Sequence, residues 1–350
     1  MGRYPEALAA GERQIALLKS HDAAPLDIAR ALIARGSVLN TSGHYADAKP
    51  MLSEALNLLQ PLSGVDGDHV TTLFELGRAA HLSGDEASAE KLYREVIARD
   101  KRGDEAMRRN LCDHLQNLSV LLAGQGRYDE SAAVSREALA MYRQYRPADD
   151  PEALKGEAQY GIILMHLHRP AEAEPVFRDV LARETRVLGP EHADTLVGQI
   201  QLGESLIDLE RYAEAEKMLR ATAESLGKAL GPDHRYTTGA WGDYARAACN
   251  GPDPAAGLAA AQKVADIRAK TLPAGDWHLA GAQTNVGLCL AHLHRYVEAE
   301  TILRKAAADL EAVRGTGFYT TQFAYKTLRD LYLATGRSSE AEAIAAKIQP

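Results

Sequence analysis

The sequence predicts an all-α fold, a solenoid of about eight helix-turn-helix repeats preceded by half a repeat. Two columns of small residues hold a common register along the chain, and the apolar residues between them recur at helical spacing. The first column ends a recurring phrase and reads Ala7, Ala48, Ala89, Ser131, Ala173, Ala215, Gly257, Ala299 and Ala341. Its steps are 41, 41 and then 42 six times. The second lies twelve residues earlier and reads Gly36, Gly77, Ser119, Gly161, Gly203, Ala245, Gly287 and then Arg329. A large apolar residue usually precedes it, as in Leu76, Leu118, Leu202 and Leu328.

Each unit therefore reads as two amphipathic helices. Helix A carries an apolar stripe such as Leu196, Ile200, Gly203 and Ile207. It ends in a short turn such as GQGR or DLER, and helix B starts at the phrase seen in GHYADA, GRYDES, ERYAEA and HRYVEA. Small residues in both columns let the two helices approach closely. Polar links such as LGPEH (188–192) and LGPDH (230–234) separate the units. There Gly stops one helix and Pro is expected where the next begins. The half repeat covers 1–22, and the repeats run approximately over 23–65, 66–103, 104–149, 150–190, 191–232, 233–275, 276–315 and 316–350. The opening phrase GRYPEALAA aligns with a turn and a helix B start, so helix A of the first repeat is missing. Leu8, Ile15, Leu17 and Leu18 then lose half their cover. The reading favoured is that the chain begins inside a longer protein; the alternative is that this flank is an interface.

Composition narrows the class. The 350 residues exceed one compact core but suit an array in which each unit touches its neighbours. Only 6% are aromatic, and abundant Ala and Leu favour helix over strand. A net charge of −8 argues against a general binder of nucleic acid or anionic membrane. Cys112, Cys249 and Cys289 are odd in number and form no CxxC pair, so a disulfide framework is not expected; Cys249 and Cys289 read as small buried hydrophobes. With no signal layout and no run near the roughly 18 apolar residues of a membrane helix, a cytoplasmic setting is expected. Arg outnumbers Lys 28 to 12, a composition that points to a GC-rich bacterial genome.

A period near 42 fits several helical repeats, and the column chemistry selects among them. Large-then-small in helix A, Ala opening helix B and a bulky residue four further on (Ala173 with Phe177, Ala215 with Leu219, Ala299 with Leu303) resemble the tetratricopeptide repeat family. The resemblance covers essentially the whole chain. The period and the LGP[DE]H links are most similar to its kinesin-light-chain subtype. It implies a right-handed α-α superhelix whose A helices line a concave groove, a non-enzymatic role in binding protein or peptide, and no cofactor. Repeat 7 departs from the pattern with Gly239 and Gly242 inside helix A, a NGPDP turn and Gly257 in the Ala column, and is the expected soft point. Arg329 departs in repeat 9.

No residue set nominates an enzyme. His166/His168 and His292/His294 stand i,i+2, roughly 200° apart on a helix, and so cannot share a metal. They fall at equivalent repeat positions, as do His69, His192, His234 and His278 before each helix A, with Asp68, Glu191 and Asp233 beside three of them. Repetition at every link favours capping and linking over catalysis. Asp149 and Asp150 read as helix capping. Phosphate-loop, dinucleotide, zinc-protease and nucleophile-elbow motifs are all missing.

Carried over by register, the family's groove positions lie six and three residues before the second column and one, four and five after it. Repeats 2 and 3 then offer Arg30, Phe74, Arg78 and His81. Repeats 4 to 6 offer Gln116, Val120, Lys155, Ile162, Met165, Ile200 and Ile207; repeats 7 to 9 offer Arg246, Asn250, Thr284, Phe323 and Lys326 behind Gly239, Gly242 and Gly281. Apolar groove residues have little structural reason to face water, so Ile162, Met165 and Ile200 are the expected anchors, flanked by basic residues. The Lys and Asn clamp of family members that hold chaperone tails is absent, because its positions read Ile33/Ser37, Phe74/Arg78, Gln116/Val120 and Ala158/Ile162. A further column (Glu75, Asn117, Gln159, Gln201, Asp243, Asn285) suits bonding between neighbouring A helices. The expected function is an interaction module for a peptide or partner domain. The alternatives are a sensory or scaffold region of a larger bacterial signalling protein, and a homo-oligomer assembled through end repeats.

Overall fold

A computed structural model describes residues 4–273 and 275–349 and contains seventeen α-helices among them. The chain divides into two compact units, 1–168 and 169–350. The first holds α1 (Tyr4–Ser20), α2 (Pro25–Thr41), α3 (Tyr45–Leu59), α4 (Asp66–Leu82), α5 (Glu86–Asp100), α6 (Glu105–Gly124), α7 (Tyr128–Tyr145) and α8 (Pro151–His166). The second holds α9 (Pro170–Leu188), α10 (Ala193–Asp208), α11 (Tyr212–Leu230), α12 (Arg235–Asn250), α13 (Pro254–Thr271), α14 (Trp277–His292), α15 (Tyr296–Arg314), α16 (Tyr319–Ala334) and α17 (Ser338–Ala345). The expected alternation holds, with even-numbered helices as A and odd-numbered ones as B. The first helix matches the expected half repeat, where Ile15 is buried and Leu17 stays 61% exposed.

Inside each unit every helix packs on its sequence neighbours. A helices also pack on the next A helix (α2 with α4, α12 with α14, α14 with α16), whereas the backbones of neighbouring B helices stay apart and long side chains bridge them, as in Lys19–Glu54 and Arg178–Glu214. The A layer is therefore the tighter, inner one. The second small column explains the approach of each pair. A Cβ at Gly36 would lie 2.6 Å from Leu52, one at Gly203 2.5 Å from Leu219, and one at Gly287 2.4 Å from Leu303. Each of these leucines stands four residues past the first column. Where that residue is Ser135, the small residue is Ser119, and the two hydroxyls hydrogen-bond at 2.6 Å.

Most A-to-B turns need one residue with positive φ, which Gly43, Gly84, Gly126 and Gly336 supply without strain. Glu210, His168 and His294 occupy the same place at φ 55–59°. The second histidine of each i,i+2 pair thus lies off the helix, so the helical-angle argument does not apply to it, although the structural reading does. His166 ends α8 and stacks on Tyr128 at 4.6 Å; the His294 ring nitrogen lies 2.6 Å from the Tyr296 hydroxyl. Two of the four link histidines, His192 and His234, cap helices directly, whereas His69 and His278 lie inside α4 and α14, the latter behind the cap Asp276. Nδ1 of His192 accepts from the Asp194 amide, and Nδ1 of His234 from the Tyr236 amide. Pro190 and Pro232 lie in the link turns ahead of these caps rather than at the helix starts. Asp150 caps α8, as expected.

Two cysteines correct the sequence reading. Cys249 of α12 and Cys289 of α14 form a disulfide across neighbouring A helices, with Cα atoms 4.9 Å apart. Their separation of 40 is two short of the period, which brings them to nearly the same height on adjacent repeats. Repeat 7, the expected soft point, carries this cross-link, and α12 runs unbroken through Gly239 and Gly242. Cys112 is buried and free.

Candidate functional face on the A helices

The groove positions lie on the A helices, and burial sorts them into three groups. Thr284 is fully buried and gives its hydroxyl to the Ala280 carbonyl; Ile207 is 6% exposed. Both side chains are thus turned away from water. Ile200 is half-buried against Leu196, Ala223, Leu226 and Ala240 of the core, so it serves packing as well as the surface. Ile162 and Met165 remain partly exposed on α8, and Val120 on α6 is 39% exposed.

The polar positions of the first unit are largely occupied by one another. Arg30 makes two 3.0 Å bonds to the Asp68 carboxylate of the next A helix. Arg78 donates to Glu75 at 3.0 Å, and Glu75 also accepts from Ser37 and from Asn40 of the preceding A helix, at 3.0 and 2.8 Å. Arg30 and Arg78, two of the flanking basic residues of the sequence reading, are thus paired within the protein. Phe74 rests on His114 at 4.3 Å and Tyr93 at 5.8 Å, and His81 meets the edge of Tyr93. Burial lowers the His81 pKa. Gln116 keeps a buried Oε1 without a hydrogen bond, and Lys155 pairs with Glu152. Between the N-terminal halves of α4 and α6 a cleft of about 750 Å³ opens, lined in part by Val70, Thr71, Arg102, Met107 and Asn110.

The polar column expected to tie A helices together does so at Glu75 and at Asn285, whose Nδ2 donates to the Gly242 carbonyl at 3.1 Å. Asn117 instead bonds Asp113 of its own helix. In the second unit Arg246 lies 3.4 Å from Asp243 and 5.7 Å from the Phe323 ring centroid, and Asn250 donates to the Arg246 carbonyl. Lys326 is exposed on α16.

The sequence reading passed over Glu204 and Asp208, although they stand one and five residues after Gly203 and so occupy groove positions. Weighting apolar anchors hid them. Desolvation in the groove and the charge of Asp243 push the Glu204 carboxyl up to about 8 against the opposing pull of Arg246. Its side chain is only partly covered, so this desolvation comes from the surrounding groove rather than from complete enclosure.

No cluster of three metal-ligating side chains occurs among the described residues, and none of their helices is long and apolar enough to cross a membrane. A family profile described as tetratricopeptide repeat matches residues 27–102 and 152–226, and a second of the same description matches 111–152. No curated protein matches the chain. Among solved structures, a kinesin light chain repeat protein of Podospora anserina is 17% identical at TM-score 0.51, covering 57% of this chain and 95% of that one. The apo form of RapI is 10% identical at TM-score 0.65, covering 91% and 86%. A Rap protein complexed with Competence and Sporulation Factor is 12% identical at TM-score 0.52, covering 97% and 99%. At these identities the likeness is one of fold.

Proposed function

The chain belongs to the tetratricopeptide repeat family, and we propose that within this interaction-scaffold fold its A layer receives an extended peptide segment. The observation that carries the reading is the exposure of apolar side chains on the inner layer. Val120, Ile162 and Met165 occupy groove positions and stay partly open to water, where no packing need places them. A few such anchors would supply most of the affinity, with the surrounding polar positions excluding water. The Rap protein solved with Competence and Sporulation Factor supports the same use of a similar fold.

The test is selection of twelve-residue random peptides on the immobilised chain, followed by titration against Ile162→Asp and Met165→Asp. At unchanged helicity by circular dichroism, each variant is expected to bind the selected peptides at least tenfold more weakly. Equal binding by both variants removes the anchor assignment.

A further inference from the structure

The A layers of the two units differ in how their charges are matched. In the first, Arg30 meets Asp68 and Arg78 meets Glu75. In the second, Glu204 and Asp208 of α10, Asp243 of α12 and Asp276 at the start of α14 stand against the guanidinium groups of Arg246 and Arg268. Each of these groups acts electrostatically on at least one other of the set. Asp276 is taken up by the His278 amide and ring nitrogen, at 2.8 and 2.7 Å, which leaves Glu204, Asp208 and Asp243 facing the two guanidiniums. Both guanidiniums are already engaged, Arg246 with Asp243 and Arg268 through a 2.8 Å bond to the His278 carbonyl. Glu204, by contrast, accepts no hydrogen bond and joins no ion pair among the described residues.

A second observation concerns space. Gly239 lies one helical turn before Asp243 and two before Arg246, on the same face of α12. A Cβ built at Gly239 would meet nothing within 4 Å. Glycine in a helix interior costs about 1 kcal/mol relative to alanine, and no neighbouring side chain here requires it. The face that carries the excess carboxylates is therefore also an open one. The aromatic ring of Phe323 borders it at Arg246.

We propose that this face binds a lysine or arginine side chain of the peptide segment, with the cationic head against the Glu204 and Asp243 carboxylates. The proposal rests on the peptide-binding reading above, applied to the A helices of the second unit by themselves, and names the chemistry of the ligand there. An anionic segment would meet the carboxylate excess and be repelled. The state of Glu204 agrees. Desolvation, with the charges of Asp243 and Asp208 added, holds its carboxyl near 8 against the opposing pull of Arg246. Tyr319 and Arg268 act in turn on that set. An incoming cation would favour the ionised form and expel the proton.

The experiment titrates the full chain with fluorescein-labelled hexa-arginine and hexa-glutamate at pH 7.5. Two double variants that each remove two carboxyl groups are compared: Glu204→Gln with Asp243→Asn, and Glu224→Gln with Glu298→Gln on exposed B-helix positions. Hexa-arginine is expected to bind the wild type and the B-helix variant alike, and the A-layer variant at least tenfold more weakly. Calorimetry in two buffers of different ionisation enthalpy should show proton release for the wild type and none for Glu204→Gln. Equal loss in both double variants, or preference for hexa-glutamate, overturns the proposal. Loss of selected-peptide binding in Ile162→Asp alongside unchanged hexa-arginine binding in the A-layer variant would leave the groove reading standing and remove this one.

Discussion

Gly257 and Cys249 are matched across the turn of one repeat: a Cβ at 257 would fall 2.3 Å from the Cys249 sulfur. Every other repeat carries Ala or Ser at that column, so the glycine is the space the sulfur takes rather than a weakness of the repeat. Gly257→Ala is expected to destabilise by about 1–3 kcal/mol, the usual cost of overpacking a filled core. Adding Cys249→Ala should recover part of it, giving a coupling energy in a urea-unfolding double-mutant cycle. Strict additivity would show that the contact does not constrain residue 257.

The disulfide itself closes a loop of 40 residues between adjacent A helices. Chain-entropy reasoning assigns such a loop about 4 kcal/mol at most. Thermal melts with and without dithiothreitol are expected to separate for the wild type and to coincide for Cys249→Ser with Cys289→Ser. Cys112 should stay unlabelled by iodoacetamide in the native state, since burial pushes its thiol up to about 11. Melting that ignores reductant in the wild type would rule the cross-link out.

Glu75 joins two repeats by accepting from Ser37, Asn40 and Arg78 while only 6% exposed. Removing its carboxylate strands the Arg78 guanidinium and the Ser37 hydroxyl, while the Asn40 amide keeps the backbone carbonyl of residue 75, and breaking a buried pair from one side costs about 3–5 kcal/mol. Glu75→Leu should approach that loss in urea unfolding, whereas Glu75→Gln, which still accepts, should lose markedly less. Similar midpoints for Leu and wild type would reduce Glu75 to a surface residue.

Much of this was legible in the sequence because a repeat states each structural need many times. The small columns located every helix pair, and the collisions at Gly36, Gly203 and Gly287 supply the reason. What repetition could not carry was hidden. The cysteine pair occurs once and at unlike positions, 249 and 289, so the period alone did not align them. Arg30 and Arg78 looked like ligand contacts because their partners Asp68 and Glu75 lie on other columns or turns. Glu204 was a groove position by register, but a charge among apolar anchors drew no weight until its missing partner became visible.

The turn column gives a stabilising change. Gly43, Gly84, Gly126 and Gly336 share their positive φ with Glu210, which holds φ 59° on an exposed turn. Relief of that conformation should make Glu210→Gly more stable by about 0.5–1 kcal/mol, after the entropy that glycine adds to the unfolded chain. Glu210→Ala retains the strained φ and should not match it. A lower urea midpoint for the glycine variant than for wild type would refute the assignment.

The charge arrangement around Glu204 predicts the pH dependence of stability. Its carboxyl titrates near 8 in the folded chain and near the ordinary carboxylate value when unfolded. Between those values the folded state keeps a proton that the unfolded state has released, so stability falls as pH rises across that window. The contribution is fully present below about pH 4.3 and exhausted above the folded value. Asp243, also raised by desolvation, acts in the same direction. Burial lowers the pKa values of His81, His166 and His292, which have the opposite effect: stability rises with pH until their unfolded value near 6.5 and is constant beyond it. The two effects therefore separate above pH 6.5, where the histidines no longer contribute and Glu204 still does. Urea midpoints measured from pH 6.5 to 8.5 are expected to decline for the wild type and to flatten in Glu204→Gln, with Asp208→Asn shifting the decline to lower pH. A midpoint that rises through this range, or one that declines equally in the Gln variant, would show that Glu204 already has its counter-charge.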